Sequence, residues 1–217
     1  CGRLTDRVTS FGTSAILTEV PEMFGAETLL MQRCKNRETF DKCVDMINSF
    51  KQYFFSHNQE CYENPSPGNH DGGITTLEEK SLGCIQKGGK AIITDILEYG
   101  EHCKKPGLSL LTGPGNDIVS VTSLTAAGAN IILFTTGRGT PLGAPVPTVK
   151  ISSNSSLYRR KSNWIDFNAG ELINNRDFEN ITEEILNLVI EVASGKKTKN
   201  EINSYRDISI FKDGVIM

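Results

Sequence analysis

The sequence predicts an α/β fold: a mainly parallel sheet with helices on both faces, a Rossmann-like three-layer sandwich. Three observations predict it. Short apolar runs, several rich in β-branched residues, recur at 15–20, 91–97, 108–111, 131–135 and 146–151, lengths that suit buried strands rather than helices. Segments with apolar residues at helical spacing stand between several of them. Most runs give way to glycine, proline or hydroxyl residues, the punctuation of a strand-to-helix turn. Alternating strands and helices of this kind bury a parallel sheet from both sides.

In chain order, residues 2–10 read as helix, with Gly12 as a cap. The opening Cys1-Gly2-Arg3-Leu4-Thr5-Asp6-Arg7-Val8 is already amphipathic, so the chain looks like a piece of something longer. A strand over 15–20 is closed by Pro21. Helical patterns follow at about 24–34 and 37–56, the second with a core stripe from Phe40 and Cys43 to Tyr53 and Phe54. Residues 58–73 form an irregular loop of a length that is often functional. Thr75 or Thr76, with Glu78 or Glu79 three residues on, caps a helix ending near Gly88-Gly89. Strands at 91–97 and 108–111 come next, then a helix over about 116–127 ended by Gly128. After strands at 131–135 and 146–151, an amphipathic helix spans about 181–193. The tail from Gly195 is basic and then irregular. One domain over 1–217 is expected, with 195–217 as its C-terminal tail.

A chain of 217 residues can bury a real core, and 38% hydrophobic with 23% charged residues is ordinary for a soluble protein. The net charge of −3 gives no electrostatic basis for binding nucleic acid or an anionic membrane. No apolar run approaches the roughly 18 residues that span a bilayer. The polar, charged first residues lack a secretory signal. Six scattered cysteines without a Cys-x-x-Cys pair are therefore expected as reduced thiols in a cytoplasm. His57, His70 and His102 lack the spacing of metal ligands on one helix face.

The chemistry gathers at strand ends. Thr135-Thr136-Gly137-Arg138-Gly139-Thr140-Pro141 follows a buried strand directly. Its glycines allow close backbone approach, and the arginine fork matches a carboxylate or phosphate. A tight turn with a solvated arginine is the bland alternative. Gly113-Pro114-Gly115-Asn116-Asp117 stands where a strand hands over to a helix, a place that binds anions, although Asn116 or Asp117 serves equally as a plain N-cap. Glu19 and Glu22 close the first strand and suit general acid–base work, hard-metal ligation or simple support of a helix N-terminus. In the long loop, Asn64, Ser66 and Asn69 offer amides and a hydroxyl between stiffening prolines, suited to a polyhydroxylated ligand. His70 reads as a solvated loop histidine and Lys80 as a solvated helix residue.

Thr18-Glu19-Val20-Pro21-Glu22-Met23-Phe24-Gly25-Ala26-Glu27, Glu63-Asn64-Pro65-Ser66-Pro67-Gly68-Asn69, Gly72-Gly73-Ile74-Thr75-Thr76-Leu77-Glu78, Gly113-Pro114-Gly115-Asn116-Asp117 and the 135–141 segment occur in that order. Together they closely resemble the C-terminal half of the altronate/galactarate dehydratase family, and the likeness runs on to Trp164-Ile165-Asp166-Phe167-Asn168-Ala169-Gly170 and Ala193-Ser194-Gly195-Lys196-Lys197. The resemblance implies a cytoplasmic hydro-lyase that removes water from a hexonate to give a 2-keto-3-deoxy acid, dependent on a divalent metal, expected to be Fe2+. Its motifs look like the altronate rather than the galactarate version, and a sulfolactate sulfo-lyase subunit is a more distant relative. It further implies N-terminal domains of the same protein upstream, which supply part of the metal and catalytic groups, so that this piece alone is expected to be inactive. A homo-oligomer is expected. His70 departs from the lysine that relatives carry after Pro-Gly-Asn and takes no family role. On chemistry, Arg138 is the anion contact, Glu19 and Glu22 the acid–base candidates, and Asn64, Ser66, Asn69, Asn116, Thr136 and Thr140 the hydroxyl contacts; the metal ligands stay unassigned. From another class, the chain would be a non-catalytic module that closes over a site built elsewhere.

Overall fold

A computed structural model describes residues 1–61, 65, 67–174 and 176–214. Helix α1 (Gly2–Ser10) leads into β1 (Ser14–Leu17), a 3-10 turn (Val20–Met23) and the short α2 (Glu27–Met31). Next come α3 (Arg37–Ser56), α4 (Pro67–Asp71), α5 (Leu77–Gln86), β2 (Ile93–Leu97) and β3 (Gly107–Leu111). The second half runs α6 (Asp117–Ala126), β4 (Ile132–Thr136), β5 (Thr148–Ser152), α7 (Ser155–Arg160), β6 (Phe167–Asn168), a 3-10 segment (Ala169–Asn174), α8 (Phe178–Ala193) and α9 (Lys199–Ile202).

All the described strand pairings are parallel, but they make two three-stranded sheets, ordered β1-β3-β2 and β4-β5-β6, where one sheet was expected. The central strands β3 and β5 are buried almost throughout, whereas β1 and β4 stand at sheet edges and stay largely half-exposed. A parallel strand covered on both faces reads as a continuous apolar run, and Leu108-Ser109-Leu110-Leu111 does so.

Local chemistry sets the boundaries. Asn36 caps α3 by accepting the Thr39 N–H at 2.9 Å. Thr76 caps α5 in a capping box closed by Glu79. The strand expected over 15–20 stops at Leu17, because Glu19 takes a left-handed conformation (φ 70°) and turns the chain into the 3-10 segment. The helix expected at 24–34 is only α2, since Gly25 at φ 90° interrupts it. The short α7 and β6 were not foreseen. Six- and two-residue elements carry too few positions to show a period.

Against the first sheet, α3 lays Cys43, Ile47 and Phe50, and they pack with Met23, Phe24, Leu30, Leu108 and Leu110. Each large side chain buried there stabilises the fold by about 1.5–3 kcal/mol. The second sheet packs Val149 and Ile151 on Leu4 of α1 and on Ile185 and Leu186 of α8. The tail is not loose. Phe211 stacks on Phe50 at 6.2 Å and its N–H reaches the Tyr99 hydroxyl, while Asp207 N–H bonds the Gly143 carbonyl. The tail thus fastens the loop after β4 to the outside of α3.

Candidate active site

The carboxyl ends of β1 and β4 open into one cleft of about 1610 Å³, the place where parallel sheets bind ligands. The exit of β1 is pinned to the exit of β3. Thr18 Oγ1 donates to the Leu111 carbonyl at 3.1 Å, and Val20 N–H donates to the Gly113 carbonyl at 3.0 Å. Gly113 is needed for this approach: a Cβ there would stand 2.9 Å from Thr18 Oγ1. With β1 so held, the left-handed backbone of Glu19 aims its carboxyl into the cleft, a strained geometry of the kind that clusters at functional sites.

Around Glu19 stands an alternation of charges. Its carboxylate lies 3.8 Å from the Lys87 ammonium, and Glu22 pairs with Lys80 at 2.9 Å. Asp117, at the start of α6, and Cys84 line the same wall. Burial pushes the Glu19 carboxyl up to about 7; Lys87 pulls against that, and Glu22 and Asp117 add repulsion. Burial likewise raises Asp117, with Lys87 opposing. For Lys87 burial favours the neutral amine, but Cys84 and the three carboxylates outweigh it and hold the proton above the ordinary lysine value. Burial lifts the Cys84 thiol to about 12, so it is no thiolate nucleophile at neutral pH.

The facing wall is the 135–141 loop. Thr136 Oγ1 accepts the Gly139 N–H at 2.9 Å, Asn154 Nδ2 donates to the Gly137 carbonyl at 3.0 Å, and the buried Lys150 ammonium donates to the Thr140 carbonyl. Gly139 sits at φ 84° with Leu157 so close that a Cβ would meet it at 3.0 Å. Arg138 projects from this loop, 72% exposed, with Asp71 of α4 at 3.4 Å. It lies over Gly68, where a Cβ would stand 2.6 Å from the guanidinium.

The fold therefore brings Glu19, Glu22, Asn69, Thr136, Arg138 and Thr140 to one cleft. Asn116 does not join them: its Oδ1 accepts the Val119 N–H at 3.4 Å as the N-cap of α6, and its surface lines a smaller neighbouring hollow with Tyr205 and Asp207. Asn64 and Ser66 lie outside the described residues. Lys80 corrects its reading as a solvated helix residue, for its ammonium is largely covered and held by Glu22. Lys87 and Cys84 were missed. Lys80, Gly83, Cys84 and Lys87 follow i, i+3, i+4, i+7, one face of α5 carried into its C-cap, and that period was the available signal.

A family model described as D-galactarate/Altronate dehydratase, C-terminal, matches residues 1–216. The chain belongs to the D-galactarate/altronate dehydratase family. Within this family it is 55% identical, over its full length, to the altronate dehydratases of Escherichia coli K12 and Bacillus subtilis 168, of which it covers 44%. It is 33% identical over 198 residues to the galactarate dehydratase (L-threo-forming) of E. coli K12, covering 90% of this chain and 38% of that protein. The chain thus spans less than half the length of these relatives and corresponds to the C-terminal part of the dehydratase family. Among the described residues no helix is long and apolar enough to cross a membrane.

Proposed function

We propose that this chain supplies one wall of the active site of a hydro-lyase that converts D-altronate to 2-dehydro-3-deoxy-D-gluconate and water, in hexuronate catabolism in the cytoplasm. The 55% identity to two altronate dehydratases supports the substrate over galactarate, whose dehydratase stands at 33%. The observation that carries the reading is the meeting of Glu19, raised to about 7, with the Arg138 loop in one cleft.

The reaction needs a base for the C2 proton, an acid for the departing C3 hydroxyl, and charge stabilisation of the enediolate-like carboxylate that forms between them. Glu19 is the base. Its near-neutral titration lets it accept a proton and give it up again. Arg138, drawn from Asp71, takes the substrate carboxylate and thereby acidifies C2. Lys80 and Lys87 keep the Glu19 wall close to neutral overall, and Asn69, Thr136 and Thr140 offer polar groups to the hydroxyls; Asn64 and Ser66 are proposed for the same use. As the C3–O bond breaks, hydroxide leaves as water with the proton of the acid, and the C2 enol ketonises.

Among the described residues no group of three His, Cys, Asp or Glu is placed to hold a metal ion. The cleft's carboxylates are interleaved with lysines, so they do not by themselves fit the divalent ion, expected to be iron. Its ligands come at least partly from elsewhere in the polypeptide, and no step here is routed through it. A homo-oligomer is proposed as the working form.

The test is turnover by the intact polypeptide on altronate and on galactarate. Glu19→Gln is expected to lower kcat by about 10²–10⁴-fold, the usual range for a lost general base, with protein and metal content unchanged. Wild-type preference for galactarate, or near-normal kcat in the variant, would overturn the assignment.

A further inference from the structure

The volume of the cleft exceeds the roughly 300–1,000 Å³ of a small-molecule site, and the excess runs along the strands, away from the charged end. It is a slot between two sheet edges. β1 forms one side and β4 the other, and neither pairs across it among the described residues. Within each sheet the described strands run parallel. The carboxyl ends of β1 and β4 meet at the charged wall, and at the opposite end Cys103 N–H, ahead of β3, bonds the Ala127 carbonyl, ahead of β4, at 2.9 Å.

Both edges are primed for pairing. Gly107 N–H donates to the Thr13 carbonyl, so the peptide groups of Thr13, Ala15 and Leu17 turn to β3 and those of Ser14 and Ile16 turn to the slot. On β4, Ile132 N–H donates to Pro147 and the Thr136 carbonyl accepts from Ser153, so Ile132, Phe134 and Thr136 serve β5. Leu133 and Thr135 then turn to the slot. Its other two walls are helices that already touch both sheets. Leu124 of α6 packs against the buried cluster of Leu97, Leu111 and Ala127 that Ile16 of β1 also covers, and against the cluster around Ile132 that Phe134 of β4 covers. On the opposite face α1 packs on β1, while its Leu4 and Val8 join Ile131 and Leu133. Roofed by helix on either face and bounded by free edges on either side, the space has the shape of a missing sheet position.

We propose that this slot takes one further parallel β-strand, contributed by the part of the same polypeptide that lies outside these 217 residues. The chain covers 44% of its full-length altronate dehydratase relatives, so ample polypeptide remains to supply one. The inserted strand is about five residues long and apolar on both faces, because helices cover it above and below. It joins the two sheets into one continuous sheet and ends beside Glu19 and Arg138, where its last residues complete the cleft. A second copy's strand or a peptide ligand are the other possible occupants.

Amide hydrogen exchange on the intact polypeptide tests this without reference to turnover, so its outcome is separable from the fate of the dehydratase proposal. Ser14, Ile16, Leu133 and Thr135 are expected to exchange within about tenfold of Leu108 and Leu110 in β3; exchange about 100-fold faster than β3 overturns the inference. Photo-leucine incorporated in place of leucine identifies the occupant. Adducts from Leu17, Leu124 or Leu133 to an apolar segment of the same polypeptide outside residues 1–217 are the expected result. Adducts to a second copy, traced by isotope mixing, or only between Leu17 and Leu133 themselves, as direct pairing of the two edges would give, overturn it.

Discussion

Glu19 holds a left-handed backbone and a covered carboxyl at the same time, and each costs stability for the sake of position. Because its folded pKa, about 7, lies above the ordinary value of 4.5, the fold favours the protonated form. Stability from this group is complete below pH 4.5 and is lost as pH rises through 7. Glu19→Gln in the intact protein is therefore expected to be more stable than wild type by about 2 kcal/mol at pH 8, with the gap closing near pH 4.5 in thermal melts. Lys150 is the reverse case. Burial lowers its ammonium to about 8, with Asp166, Asp117 and Asp207 opposing, so its fold penalty disappears as pH rises from 8 towards 10.5. Lys150→Met is expected to leave the melting temperature nearly unchanged, since apolar replacement of a buried charge is often neutral or stabilising, while Gly139 exchanges faster because Thr140 loses its tether. Lys150 was not legible in the sequence, and Lys87 was signalled only by the helical period it shares with Lys80 and Cys84. Lys150 sits in an apolar run that pattern alone reads as plain strand, and Lys87 stands at a helix end among glycines.

Among the elements, the short helices decide where charges meet. Helix α5 carries Lys80 to Glu22 because its start is fixed by the Thr76 capping box. Thr76→Ala is expected to cost about 1 kcal/mol of stability and, by loosening the first turn, to raise KM more than it lowers kcat. Helix α4 places Gly68 flat beneath Arg138. Gly68→Ala is expected to leave stability within about 0.5 kcal/mol, because the flexible guanidinium end can move aside, yet to raise KM for the sugar acid about tenfold by displacing the proposed carboxylate contact. A KM equal to wild type with an intact fold would count against Arg138 as that contact. Capping signals made α5 and α6 readable in advance, and the apolar stripe from Phe40 to Phe54 did the same for α3. The break at Gly25 and the five-residue α4 were not, because glycine and proline announce a turn without saying which way the chain leaves it.

Across the whole molecule, two sheets share one cleft, and the tail that packs Phe211 against Phe50 and Tyr99 helps hold the β4 side to the α3 side. Phe211→Ala is expected to cost about 1–2 kcal/mol for a half-buried ring, read by denaturant titration. The isolated 217 residues are expected to show no measurable altronate dehydration beside the intact polypeptide, and turnover from the piece alone would sink that expectation. By itself the sequence determined the α/β class, the strand positions of five of the six described strands, and the motif order that places the chain in its family, because strand periodicity, caps and glycine-spaced turns are local properties. Only the tertiary structure decided that the strands divide into two sheets, that Lys80, Lys87 and Asp117 surround Glu19, and that Asn116 turns to capping instead. Those outcomes depend on which edges find partners and which charges are desolvated together, and neither is written within any one stretch of chain.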